Sequence, residues 1–320
     1  MKRIMFLLLL TSVALYSMAA NAQHFSDWSA PVNLGPPVDL LVVDGKPIID
    51  YQATVSKDGL TMYFVSNRPG GFGAADIWIS HRASVDAPWE EPQNAGPSIN
   101  TSCIEGGPLL TIDGHQLFFS RNNCPDGFGG NDLYVARRHN KRDDSGWAPA
   151  VNLGPTINTA AVEFGPAYFE DEGTGVITLY FHSTRPGSAG GTDIYASTLQ
   201  PDGGWGEPQL VAELSSAFND QAPSIRRDGL EIFLTSDRPG SLGGEGLDIF
   251  VSTRSSTSEP WSEPVSLGPV VNSVYSEIRP MVSFDATTLY FGSSRPGPSG
   301  AQNFDLWVST RTKVNGHGHD

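Results

Sequence analysis

Acidic residues recur at one position of a repeated pattern, at intervals of 55 to 58 residues, and are Asp50, Glu105, Glu163, Asp220 and Glu277. In four of the five repeats an arginine follows after 18 or 22 residues, at Arg68, Arg185, Arg238 and Arg295. Two carboxylates that face one substrate can cleave a glycosidic bond. Carboxylates that meet arginines can instead form ion pairs between two segments. Because the feature repeats equivalently, it favours ion pairs over a ring that grips a ligand.

A second set of carboxylates opens a strand in each repeat, directly after a Gly-rich segment, at Asp76, Asp132, Asp193, Asp248 and Asp305. A carboxylate in this place can accept hydrogen bonds from loop amides. Calcium ligation is the alternative, but no D-x-D-x-D-G loop supports it. The sequence therefore predicts neither a metal site nor a cofactor.

The chain has only two cysteines, Cys103 and Cys124. Cys124 stands at the position of the arginine in the other repeats, and Cys103 lies two residues before Glu105. This placement predicts a disulfide that replaces the usual acid–arginine pairing. It would close a loop of about 20 residues, worth about 3 kcal/mol in the chain-entropy model. A redox site is the weaker interpretation because no C-x-x-C motif is present.

The elements that carry these residues repeat with them. The clearest copy runs from Asp58 to Arg82, D-G-L-T-M-Y-F-V-S-N-R-P-G-G-F-G-A-A-D-I-W-I-S-H-R. A tryptophan recurs at intervals of 56 to 61 residues, at Trp28, Trp89, Trp147, Trp205 and Trp261. The Asp-Gly turn predicts a hairpin, and the R-P-G-G segment predicts a loop. A third and a short fourth strand complete each unit. Such a strand-rich period predicts an all-β, five-bladed propeller of four-stranded antiparallel blades.

The last blade lacks a fourth strand of its own, whereas the segment from Trp28 to Leu34 has no blade. We expect this segment to join the C-terminal blade and close the ring, since pairing removes a free sheet edge. The predicted single domain is 23–313, with blades near 48–96, 103–153, 161–211, 218–267 and 275–312 plus 28–34. Residues 314–320 are predicted to be a disordered tail.

The repeated S-x-R-P-G-G-x-G-G-x-D-I-W-V-S-x-R pattern, after a D-G-x-x-L-Y-F strand, resembles the TolB-like, WD-type β-propeller repeat of bacterial envelope proteins. The resemblance covers essentially the whole chain after its first residues. It implies a propeller fold and, as for most members of that family, a role as an interaction platform.

In an antiparallel blade the second turn and the crossover to the next blade lie on the same side of the disc. We call this side, which carries the R-P-G-G loops and the crossovers, the loop-rich face. The five acids and four arginines above are predicted to meet there. Phe72 and Phe128 belong to the same loops, either as a partner surface or as wedges between blades. His182, the only histidine beside one of these loops, is expected to be structural.

The first residues form a basic start, an apolar stretch and a small-residue site, which predicts a signal peptide over residues 1–22. Removing Lys2 and Arg3 with it leaves 18 basic and 35 acidic residues, a net charge of −17. Such a surface repels nucleic acids and anionic membranes. The sequence thus predicts a periplasmic or secreted monomer with no membrane span and no nucleic-acid partner.

The leading functional prediction is a non-catalytic platform that binds an envelope protein or polysaccharide through the loop-rich face. The chain has no nucleophile motif, histidine cluster or phosphate loop. A glycoside-processing enzyme and a sugar-binding lectin, each using the channel-mouth carboxylates, are the alternatives. Five equivalent pockets would favour the lectin, and one central pocket with two unpaired carboxylates would favour the enzyme.

Overall fold

A computed structural model describes residues 23–40, 42–242, 246–297 and 303–314. The predicted signal peptide and residues 315–320 of the predicted tail lie outside these ranges. Within them, no helix is long and apolar enough to cross a membrane. The regular structure is all β, as predicted.

The strands near the N-terminus are β1 (His24–Phe25), β2 (Val32–Asn33), β3 (Val42–Val43) and β4 (Lys46–Pro47). The first blade contains β5 (Asp50–Val55), β6 (Thr61–Ser66), β7 (Asp76–His81) and β8 (Gln93–Asn94). The second contains β9 (Ile104–Leu110), β10 (Gln116–Asn122), β11 (Asn131–Arg137) and β12 (Val151–Asn152). The third contains β13 (Glu163–Glu170), β14 (Ile177–Ser183), β15 (Asp193–Thr198) and β16 (Gln209–Leu210).

The fourth blade contains β17 (Asp220–Ile225), β18 (Glu231–Ser236), β19 (Asp248–Thr253) and β20 (Val265–Ser266). The fifth contains β21 (Glu277–Val282), β22 (Thr288–Ser293) and β23 (Asp305–Thr310), and β24 (Lys313–Val314) follows. The fourth strand of this blade is β2, with Val32 opposite Val308 and Asn33 opposite Trp307. Strand β1 also pairs with β24. The five blades and the closure of the ring by the N-terminal segment are therefore confirmed.

Five apolar clusters hold the ring together, one between each pair of neighbouring blades. The cluster at the closure packs Phe64 and Trp78 of the first blade against Tyr290 and Leu306 of the fifth. Each blade thus buries one face against its neighbour, which lets small sheets build one closed structure. The innermost strands, β5, β9, β13, β17 and β21, surround a channel on the axis.

Every innermost strand contains a bulge two residues after its acid. The residue there has a positive φ in all five blades: Gln52 (56°), Gly107 (59°), Gly165 (62°), Ala222 (48°) and Arg279 (58°). The register between the first and second strands shifts at this place in each blade. A bulge redirects side chains and leaves a residue unpaired. We call these five positions the bulge ring.

A proline directly follows the bulge in four blades, at Pro108, Pro166, Pro223 and Pro280. These prolines lie inside the strands, which is possible because a residue at a bulge need not donate a hydrogen bond to the neighbouring strand.

Candidate functional site in the central channel

The five repeated acids are completely buried, at 0% exposure. In four blades the expected arginine pairs with the acid of its own blade: Arg68–Asp50 (2.9 Å), Arg185–Glu163 (3.3 Å), Arg238–Asp220 (2.5 Å) and Arg295–Glu277 (2.8 Å). Each of these arginines also donates to a crossover carbonyl, as Arg238 does to Leu214 at 2.8 Å. The guanidinium lies over a ring of the third strand, 5.0 Å from Trp307 in the case of Arg295. These contacts join crossover, loop and sheet.

The second blade has the same acid–arginine pair, but its arginine stands one residue closer to the preceding serine than in the other blades. Nε of Arg121 lies 3.3 Å from Glu105, and Nη2 of Arg121 donates to the Ile99 carbonyl at 2.9 Å. Cys103 and Cys124 form a disulfide in the same blade. The expectation that the disulfide replaces the ion pair was therefore wrong, since both are present. The missed signal is the Ser120–Arg121 sequence, in which the arginine follows the serine directly.

Four of the second set of carboxylates accept hydrogen bonds from loop amides. Asp132 accepts from Phe128 at 2.8 Å, Asp193 from Gly190 at 2.8 Å, and Asp248 from Leu242 at 2.7 Å. Asp76 accepts in the same way from Phe72 at 3.1 Å. Among the described residues no group of three or more potential ligands could hold a metal ion. These aspartates shape the loops of the loop-rich face.

Burial raises the pKa of Asp50 even though Arg68 opposes the shift, and burial likewise raises the pKa of Glu105. A glycosidase carboxylate must reach its substrate, but these groups have no exposed surface. Phe72 and Phe128 are exposed, at 52% and 48%. The residues predicted from the sequence thus form two groups. The acids and arginines make a buried ion pair in each blade, and the two phenylalanines are exposed on the loops.

A cavity lies elsewhere, on the axis of the ring. All five innermost strands line it, through residues from the bulge ring to the first turns, and its volume is about 120 Å³. It opens on the side of the disc opposite the loop-rich face. We call this cavity the axial chamber. One water needs on the order of 10–15 Å³ by this measure, so there is room for on the order of ten waters.

The inner end of the axial chamber is asymmetric. Phe164 packs beside Gly107, and the Phe164 ring lies 5.5 Å from that of His182. Nδ1 of His182 accepts a hydrogen bond from the Ala222 amide at 3.1 Å. Burial, reinforced by the charge of Arg279, lowers the pKa of His182 well below its usual value. His182 is therefore a neutral structural residue, whose Nδ1 is occupied as an acceptor.

The side chains that approach this end, Gln52 and Arg279, were not recognised from the sequence. They belong to the bulge ring, whose other members are Gly107, Gly165 and Ala222. The alignment of the five acids contained the signal, because the second residue after each acid is small in three repeats and long and polar in two. That difference breaks the symmetry of the fold, as a site for one asymmetric ligand requires.

No protein-family model matches this chain, and no curated protein matches it. Solved structures do match. An α-L-arabinofuranosidase from Lactobacillus brevis is 16% identical, with a TM-score of 0.56, over 84% of this chain and 93% of that one. An endo-arabinase from Bacteroides thetaiotaomicron is 17% identical, with a TM-score of 0.54, over 85% and 96%.

A third similar structure is the α-L-arabinofuranosidase PaAbf62A from Podospora anserina in complex with cellotriose. It is 14% identical, with a TM-score of 0.53, over 90% of this chain and 97% of that one. At these identities the similarity establishes the shared propeller fold.

These neighbours correct two expectations. The similar structures are glycoside hydrolases, so the resemblance to TolB-like, WD-type repeats was wrong. Any propeller blade needs tight turns between short strands, and Gly and Pro are common in such turns. The Gly- and Pro-rich motifs therefore indicate a propeller blade but do not identify the family to which it belongs. The non-catalytic platform, which depended on that resemblance, is likewise contradicted.

Proposed function

We propose that this protein is a carbohydrate-active propeller, exported from the cytoplasm, that takes the end of a glycan chain into the axial chamber. The observation that carries the proposal is a single asymmetric chamber on the axis of an otherwise repetitive ring. One site of this kind suits one ligand, whereas a lectin with a site in each blade would show five equivalent pockets. The glycoside hydrolases of the same fold support a glycan as the ligand.

The walls of the axial chamber suit a sugar. Tyr168 and Phe284 are partly exposed and present ring surface, and Ser224 contributes a hydroxyl. The Ser224 hydroxyl accepts from the Val282 amide at 3.0 Å, which leaves its own proton free to donate. Ligand sites commonly combine a largely apolar wall with a few placed polar groups.

Glycoside hydrolysis is a second candidate, favoured by the activities named for the similar structures. The common mechanism needs two carboxyl groups about 5–10 Å apart at the scissile bond. Glu170 is the only carboxylate among the described residues that line the axial chamber. It is the residue we assign to one of the two roles, since the repeated acids are held behind their arginines. The second carboxyl group has no counterpart among the described lining residues, which makes glycan binding the leading proposal.

A screen of neutral and acidic oligosaccharides, followed by isothermal titration calorimetry, tests the proposal. We expect binding with one site per chain. Hydrolysis is followed as release of reducing ends, and Glu170→Gln should lower any release at least 100-fold, whereas the exposed Glu259→Gln control should not. Five sites per chain, or no binding at millimolar concentration, would contradict the proposal.

A further inference from the structure

The axial chamber is basic although the protein is acidic. Its charged lining residues are Lys57, Arg226, Arg227, Arg279 and Glu170, four cations and one anion, in a chain of net charge −15. The positive charge is therefore local. A cavity lined by one sign of charge concentrates ligands of the other sign.

Two of the four cations already have carboxylate partners. Arg226 pairs with Asp228 at 2.7 Å and with Glu231 at 3.3 Å, and Arg227 pairs with Glu172. Lys57 and Arg279 make no ion pair with any described residue. Lys57 is at the rim, 4.7 Å from the Phe284 ring. Arg279 is at the inner end, in the bulge ring.

Arg279 is held in a place where its charge is costly. Its guanidinium stacks over Phe164 at 4.3 Å, and Nη1 is buried without a hydrogen-bond partner. Its φ of 58° is a conformation that a side chain of this size rarely adopts. Burial lowers the pKa of Arg279 only to about 10, so it keeps its charge at neutral pH. Arg279 as a whole is half-buried, so its unpartnered Nη1 is a buried donor beside an open chamber and can be satisfied by an anion that enters it.

Gln52, in the neighbouring blade of the ring, shows the same deficit. Its Oε1 accepts from the Gly107 amide at 2.6 Å, whereas its Nε2 is buried without a partner. The side chain is 4% exposed and lines the same chamber. Two adjacent positions of the bulge ring thus present unpaired donors to the axial chamber.

We propose that Gln52 and Arg279 form a carboxylate-binding subsite, and that the glycan taken by the axial chamber is an acidic one whose terminal residue is a uronic acid. Arginine binds carboxylates through two parallel hydrogen bonds, and the glutamine amide adds a third donor. Lys57 and Phe284 lie five residues further along the chain, in the turns that follow β5 and β21 and roughly 15 Å away, and contact the following sugars. This inference rests on the proposed function and specifies its ligand.

The test compares a trigalacturonate with galactotriose, the matched neutral sugar, by calorimetry on the intact protein. We expect the acidic trisaccharide to bind at least 10-fold more tightly. Arg279→Gln should weaken its binding 10- to 100-fold, as loss of a charge-assisted contact does. Arg137→Gln, which removes one exposed positive charge at the end of β11, should leave binding unchanged.

Gln52→Glu gives an independent check if Arg279→Gln fails to fold, since it places a negative charge beside the bound carboxylate and should weaken trigalacturonate selectively. Equal affinity for the neutral trisaccharide would overturn the uronic acid inference while leaving glycan binding intact. Equally tight binding of acetate or inorganic phosphate would overturn it too, because the sugar would then contribute nothing. Failure of both trisaccharides, and of every other glycan screened, would instead remove the proposed function.

Discussion

Asp39→Asn should raise the free energy of unfolding by about 3 kcal/mol at pH 8, and by less at pH 5. Asp39 is 1% exposed at the closure of the ring, where Asn33 donates to it at 2.5 Å and its other oxygen has no partner. The corresponding crossover residues of three other blades are Asn100, Asn158 and Asn272. Each of these amides both accepts from and donates to the backbone of a third strand, as Asn100 does with Ile77 at 2.9 and 2.8 Å.

The pH dependence follows from the environment of Asp39. Burial, with the nearby charges of Asp305 and Asp50, raises its pKa from 3.8 to about 8. Between those two values the unfolded chain loses this proton and the folded protein keeps it, so stability falls as pH rises. Asparagine has no proton to lose and supplies the amide donor of the other blades. The advantage of the variant should therefore grow from pH 5 to pH 8.

Urea unfolding of both proteins at the two pH values measures this difference. Asp44→Asn is the control, since it removes a nearby exposed carboxylate and should change stability by less than about 0.5 kcal/mol. A stability gain independent of pH would contradict a protonated Asp39, and a loss would contradict the equivalence with the asparagines.

Asp220→Ala should lower the free energy of unfolding by about 3–5 kcal/mol, the loss expected when one partner of a buried ion pair is removed. Asp220 accepts from Arg238 at 2.5 Å and from Ser236 at 2.6 Å, and it has no exposed surface. The variant would leave the Arg238 guanidinium buried without its counter-ion. The change should appear in thermal and denaturant unfolding.

Glu207→Ala removes an exposed carboxylate close by in the chain and should change stability by less than about 0.5 kcal/mol. Asp220→Ala protein that remains folded, well below its unfolding temperature, should bind glycan as the wild type does. Normal stability with lost glycan binding would show that Asp220 contacts the ligand, which would contradict its role as the buried partner of Arg238.

The fold could be predicted because its signals are local and repeated. The Asp-Gly turn after Lys57 indicates a hairpin, and each recurring tryptophan indicates a fourth strand. The recurrence of these local signals along the chain indicates a repeat architecture. The closure followed from counting strands, since Trp28 and its neighbours lacked a blade. The structural role of the five repeated acids could also be predicted, because a residue that recurs at the same position of every blade is expected to stabilise the blade itself.

The axial chamber could not be predicted because it depends on what the ring brings together. Gln52 and Arg279 are 227 residues apart in sequence and come to neighbouring positions of the bulge ring only when the fifth blade closes on the first. A proline follows the bulge in the other four blades, but none follows Gln52, so the sequence contains no sign of the bulge in the first blade. Asp39 was detectable in principle, since it replaces the asparagine of three other crossovers.

Blocking each face of the disc in turn tests most directly whether ligand enters the axial chamber. Both native cysteines are in the disulfide, so a single introduced cysteine can be labelled alone. Ile112, 40% exposed, lines the chamber, and Phe72, 52% exposed, lies on the loop-rich face. A bulky maleimide on the Ile112→Cys variant should abolish glycan binding, and the same label on Phe72→Cys should leave it unchanged. The reverse pattern would place the site on the loop-rich face and contradict the chamber.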